Sequence, residues 1–241
     1  MQKNCNTHTT RKTAGLLGGM SWESTALYYR LINEGVRNRL GGLHSARIVM
    51  VSVNFQEIEH LQATGDWQQA GELLAADARR IEAAGADFLL LCTNTMHKVA
   101  DQIQAVITIP LVHLADATAS QLASQQVKTV GLLGTRFTMV EEFYRSRLRS
   151  PHNIEVLIPS PDDVDIIHRI IFEELCKGIV HDSSRQEYLR IIADLHRRGA
   201  EGVILGCTEI GMLIHQQDTP VPLYDTTTLH AEAAIELLVG P

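Results

Sequence analysis

Short, continuous apolar runs alternate along this chain with longer stretches whose apolar positions recur every three to four residues. TAGLLGG, from Thr13, reads as a strand entering a Gly turn, and SWESTALYYRLINEGVRNRL reads as a helix N-capped by Ser21 with Glu23 in its first turn. ARIVMVSVNF is a second strand. A long helix over about 67–84 closes at Gly85, and FLLLC follows as a third strand. Strands that are apolar throughout and separated by helices belong in a parallel sheet covered on both faces, so the fold class is α/β.

The pattern then occurs a second time. GLLGGMS from Gly15 returns as GLLGTRF from Gly131, EAAGADFLLLCTN from Glu82 returns as HRRGAEGVILGCTE from His196, and TIPLVHLADAT from Thr108 returns as TPVPLYDTTTL from Thr219. Three matched segments in the same order predict two similar lobes, each with a mainly parallel sheet flanked by helices and with a site in the cleft between them. The expected division is a flexible tail over 1–13, a first lobe over 14–118 and a second over 119–241. The end of the first, 114–118, is a segment that could cross over.

Composition removes several classes of function. A formal charge of -7 with 5% aromatic residues and no basic run prepares the chain neither for phosphate neutralisation nor for base stacking, so no nucleic-acid partner is expected. No apolar stretch reaches the roughly 20 residues that span a bilayer, and the N-terminal MQKNCNTHTTRKT lacks an apolar core behind its charges. No membrane association and a cytoplasmic location are the expectation, with a small molecule as partner and a homodimer as the assembly. The cysteines Cys5, Cys92, Cys176 and Cys207 form no C-x-x-C pair and have no His at zinc-ligand spacing, so neither disulfides nor a metal site is expected. Cys5 falls in the tail and Cys176 on the apolar side of a predicted helix, and both read as chemically inert.

The repeat concentrates chemistry at two places. Both FLLLCTN and VILGCTE end a buried strand in Cys-Thr and a polar residue, which packing alone would not require. Ligands of open α/β sheets bind at the carboxyl ends of strands, so both turns should face one cleft. Each turn also reads as a helix start, where N–H groups favour an anion and a thiol pKa falls. Met20, Ser21, Thr135 and Thr138 from the two Gly turns should lie on the same side. The Gly turns lack both the G-x-G-x-x-G spacing and a following Lys-Ser/Thr, which argues against a nucleotide.

GLLGGM at the start, the N-T-x-H segment from Asn94, GCTE at Cys207 and the twofold repeat together resemble the aspartate/glutamate racemase family, over about residues 14–238. The runs LLGGMSWEST and CTNTMHK are most similar to an enterobacterial branch of amino-acid racemases. The resemblance implies cofactor-independent inversion at Cα by two groups on opposite faces of an amino acid, with aspartate or glutamate as substrate and the second-lobe Cys acting on the L-face. It also implies substrate contacts from Asn94, Thr95, Thr208 and Glu209 beside those of the Gly turns.

The chain departs from the family's Cys-Asn-Thr motif. It reads Cys92-Thr93-Asn94-Thr95, so aligning Asn94-Thr95 puts Thr93 in the catalytic place opposite Cys207 and leaves Cys92 one step back, facing the sheet. The cationic clamp for a distal carboxylate is also missing, since the corresponding stretches NFQEIEH and DDVDIIH offer His60 and Asp165. Arg136 is the expected replacement, and homoserine or another polar amino acid is the alternative substrate. Two other classes compete. A cysteine hydrolase would need a general base beside Cys207, from His97, His113 or His215. An amino-acid-binding protein would need only the cleft.

Overall fold

The computed structural model describes residues 12–240. Cys5 and most of the expected tail lie outside that range, and the first strand already begins at Thr13, whose N–H donates to Asp87 Oδ2 at 2.6 Å.

Two parallel four-stranded sheets form the core. In the first, β1 (Thr13–Gly18), β2 (Arg47–Ser52), β3 (Phe88–Leu91) and β4 (Leu111–Val112) lie in the order β2-β1-β3-β4. In the second, β5 (Thr129–Gly134), β6 (Glu155–Leu157), β7 (Gly202–Gly206) and β8 (Leu223–Asp225) lie in the equivalent order β6-β5-β7-β8. The repeated segments of the sequence thus occupy matching places: the Gly turns follow β1 and β5, and the Cys-Thr turns follow β3 and β7. The central strands β1, β3, β5 and β7 are buried almost throughout, as continuous apolar runs require.

The flanking helices are α1 (Trp22–Leu40), α2 (Phe55–Thr64), α3 (Trp67–Ala83), α4 (Ala100–Gln104), α5 (Leu114–Ser124), α6 (Arg136–Val140), α7 (Glu142–His152), α8 (Pro161–Glu173), α9 (Asp182–Arg197), α10 (Ile210–Leu213) and α11 (Thr226–Val239). Ser21 caps α1 as expected, its hydroxyl accepting from Ser24 N–H. The second strand stops earlier than its apolar run suggests. Asn54 breaks it by accepting from Gln56 N–H, and Phe55 opens a separate helix, α2.

Two helices cross between the lobes. Helix α5 follows β4 of the first sheet but packs Leu114, Ala115, Ala119 and Leu122 into the core around β5 and β7. Helix α11 follows β8 of the second sheet but packs Ala231, Ala234, Ile235 and Leu238 against Leu16, Tyr28 and Phe88 of the first. Each sheet therefore has one face covered by the other half's last helix. That exchange brings the carboxyl ends of β3 and β7 together.

Candidate active site

Side-chain hydrogen bonds cross between the halves where those strand ends meet. Ser21 Oγ donates to Glu209 Oε1 at 2.6 Å, Thr95 and Thr135 hydroxyls lie 2.9 Å apart, and Asn94 Nδ2 donates to Thr226 Oγ1 at 3.1 Å. Around them lies a narrow pocket. Thr93, Asn94 and Thr95 line it from the first lobe, and Gly206, Cys207, Thr208 and Glu209 from the second. Met20, Phe55, Gln62, Thr135, Ile171, Phe172 and Cys176 complete the wall. Gly206 is fixed by close approach, because a Cβ there would lie 2.7 Å from the Leu133 carbonyl oxygen.

Cys207 is bonded to a carboxylate. Its Sγ–H donates to Glu209 Oε2 at 3.0 Å, and Thr208 Oγ1 donates to the same oxygen at 2.7 Å. Burial raises the Cys207 pKa well above the ordinary thiol value, and the Glu209 charge raises it further. This reverses the expectation of a depressed pKa at a helix start. The helix after Cys207, α10, spans only Ile210–Leu213, and the turn after Cys92 enters a 3-10 segment, Thr95–Val99, before α4. Neither presents enough aligned peptide dipoles at the thiol to offset burial.

Thr93 reaches the pocket from the opposite half. Among the described residues no side-chain hydrogen bond occupies its hydroxyl, while its carbonyl accepts from His97 Nδ1 at 2.7 Å. Cys92 faces away. Its side chain is fully buried with Leu16, Tyr28 and Leu90, and burial alone drives its pKa up. Asn94 Oδ1 is a buried acceptor without a partner among the described residues, on a side chain that lines the pocket.

Three expected contacts lie elsewhere. Thr138 is fully buried behind Thr95 and Thr135, and its N–H donates to Thr135 Oγ1 at 3.3 Å. Ser21 meets the site through Glu209. Arg136 lies in an outer groove, where its guanidinium donates to Asp165 Oδ1 at 2.6 Å. His60 is exposed and outside the pocket wall. The candidate bases of a hydrolase are absent from that wall too: His97 and His113 are buried, and His215 is exposed at the start of a 3-10 turn.

Cys176 departs from its expected place. It sits in a 3-10 turn, Leu175–Lys177, half-buried in the pocket wall. Sequence reading also missed Gln62, whose helix was merged into the preceding strand and loop. The signal available for it was a Gln on the apolar stripe of Ile58 and Leu61, a position where packing favours a hydrocarbon.

Family comparison decides between the classes. The profile of the Asp/Glu/Hydantoin racemase family matches residues 17–234. The chain belongs to this family. Among solved structures it is similar to a candidate Asp/Glu racemase of Yersinia pestis, with 53% identity, 95% of this chain and 99% of that one covered, and a TM-score of 0.88. It is also similar to an aspartate racemase homologue of Pyrococcus horikoshii OT3, with 34% identity, 94% and 99% coverage and a TM-score of 0.81. Among curated proteins it is 19% identical over 177 residues to the broad specificity amino-acid racemase RacX of Bacillus subtilis (strain 168), over 70% of this chain and 73% of that one. Family and neighbours support racemase activity and the two-lobed α/β fold. Among the described residues no helix is long and apolar enough to cross a membrane, and no cluster of His, Cys, Asp or Glu could hold a metal ion.

Proposed function

We propose that the protein is a cofactor-independent racemase of α-amino acids with uncharged side chains. The observation that carries this reading is that two unlike groups from the two lobes line one pocket, Cys207 with its thiol 3.0 Å from Glu209 and Thr93 with its hydroxyl unengaged among the described residues. Inversion at a carbon needs proton transfer on both of its faces, which two lobes supply more readily than one. Glu209 accepts the thiol proton, the resulting thiolate removes the α-proton from the L-face, and the Thr93 hydroxyl returns a proton on the other. The hydroxyl then recovers its proton from water, and the hydroxide so formed takes the proton held on Glu209, which restores the starting state. The raised thiol pKa makes the thiolate a strong base once formed.

Asn94 Oδ1, which no protein group reaches among the described residues, suits the substrate ammonium, and the hydroxyls of Thr95 and Thr135 suit the carboxylate. Among the described lining residues there is no Lys, Arg or His to match a second carboxylate, and Glu209 would repel one. That favours uncharged side chains such as that of homoserine. Aspartate and glutamate form the second reading, supported by the names of the relatives and by Arg136, which Asp165 engages. A panel of L- and D-amino acids in D2O, followed by NMR, tests both. Exchange and inversion of neutral polar amino acids ahead of aspartate and glutamate is the expected result; exchange of the acidic pair alone selects the second reading. Activity that survives dialysis against EDTA and needs no added pyridoxal phosphate is expected as well.

A further inference from the structure

Gln62 is a nearly buried polar side chain whose amide the protein engages on one side only. It lies on α2 at 4% exposure, and Nε2 donates only to the Met96 thioether, at 2.9 Å. A thioether is a weak acceptor, and among the described residues no hydrogen bond reaches Gln62 Oε1. The oxygen is not itself among the buried orphan atoms, so it opens onto the space the side chain lines, where water or a ligand can bond it. The amide lines the pocket beside Met96, and Phe55, Ile171 and Phe172 in the same wall supply no side-chain hydrogen bonds. It also lines the outer groove, together with Phe172.

We infer that Gln62 is a specificity-determining residue, whose amide hydrogen-bonds a neutral polar group on the side chain of the amino acid. This rests on the racemase reading above and adds the feature of the substrate that is selected. A substrate held by its ammonium and carboxylate beside Asn94 and Thr135 extends its side chain between the aromatic rings towards the amide. A hydroxyl or carboxamide there pairs with Oε1 or with an Nε2 proton. An alkyl side chain of equal length leaves the amide as it is without substrate, and a carboxylate meets no cation among the described residues of the pocket wall.

The test compares L-homoserine with L-norvaline, which exchanges the hydroxyl for a methyl, and adds L-glutamine, in the full-length protein and in Gln62→Leu. Wild type is expected to favour homoserine over norvaline in kcat/KM by about tenfold or more, since a site built to bond a hydroxyl rejects the analogue lacking it. Gln62→Leu is expected to remove that preference by lowering kcat/KM for homoserine and glutamine while norvaline holds or rises. Equal kcat/KM for homoserine and norvaline in wild type overturns the proposal without any variant, so a poorly folding Gln62→Leu does not shelter it. A preference that persists undiminished in folded Gln62→Leu also overturns it, and leaves the racemase reading standing. A wild type that exchanges no α-hydrogen on any amino acid overturns both.

Discussion

Cys92 and Cys207 occupy equivalent strand ends, yet their surroundings assign them different work. Cys207 meets a carboxylate in a pocket, and Cys92 is packed among Leu16, Tyr28 and Leu90. Cys207→Ala is therefore expected to lower kcat at least about 10²-fold, as loss of an acid–base group does. Cys92→Ala is expected to keep kcat while losing about 1–2 kcal/mol of stability through a small core cavity. A chemical denaturation curve paired with a rate assay separates the two, and equal loss of activity in both would contradict the assignment. Glu209→Gln removes the charge that helps raise the Cys207 pKa, so alkylation of Cys207 by iodoacetamide should begin at lower pH while kcat falls. An unshifted alkylation profile would mean that burial acts alone. The one-residue step from Cys92 to Thr93 was legible in the sequence, because the Asn94-Thr95 alignment fixed which residue turns outward. The raised pKa was not, since it depends on desolvation and on how short the following helices are.

Helices α5 and α11 show why an apparent repeat need not divide a chain into two blocks. The order of the strands could be read from the sequence, because buried parallel strands announce themselves as apolar runs between Gly turns. The destination of the last helix of each half could not, because a stripe of Ala, Ile and Leu suits either sheet. Ile235 lies against Gly35 of α1 so closely that a Cβ on that glycine would fall 2.2 Å from Ile235 Cδ1. Ile235→Ala, although late in the chain, is thus expected to cost about 2–5 kcal/mol. Native-state hydrogen exchange should show the loss of protection in β1 and β3, not first in β5 and β7; the opposite order would contradict the crossing. Helix α2 was missed for a different reason. Its start is set by one capping residue, Asn54, inside a segment otherwise continuous with the strand.

Across the whole molecule, buried histidines tie the site to the crossing helix. His97 bonds the Thr93 carbonyl and accepts from Leu114 N–H at 3.2 Å, and His230 bonds the Val112 carbonyl at 2.7 Å and Tyr28 Oη at 2.9 Å. Burial pulls His97 down to about 3 and His230 down to about 4, and lowers His113 as well. Because the unfolded chain binds these protons near the ordinary value of 6.5, the stability they contribute is whole above that pH and is lost as pH falls towards 3–4. His97→Asn, which keeps a donor near the Thr93 carbonyl, should reduce proton uptake on unfolding by about one at pH 5, seen as a shallower fall of urea midpoint with pH. An unchanged slope would show that His97 is charged in the folded protein. On the proposed reading, two unequal proton-transfer groups, a thiol and a hydroxyl, serve the two faces of one carbon. Racemisation has an equilibrium constant of one, so kcat/KM is equal for the two enantiomers and the inequality must show in isotope exchange. The most direct measurement follows L- and D-substrate separately in D2O, recording deuterium at Cα and configuration together. If Cys207 takes the proton from the L-face and Thr93 is slow to answer, L-substrate gains deuterium with retention faster than it inverts, D-substrate shows no such excess, and Thr93→Cys raises inversion relative to retained exchange. L-substrate that never exchanges faster than it inverts, or a Thr93→Ala variant that inverts at the wild-type rate, would contradict the pairing of Cys207 with Thr93.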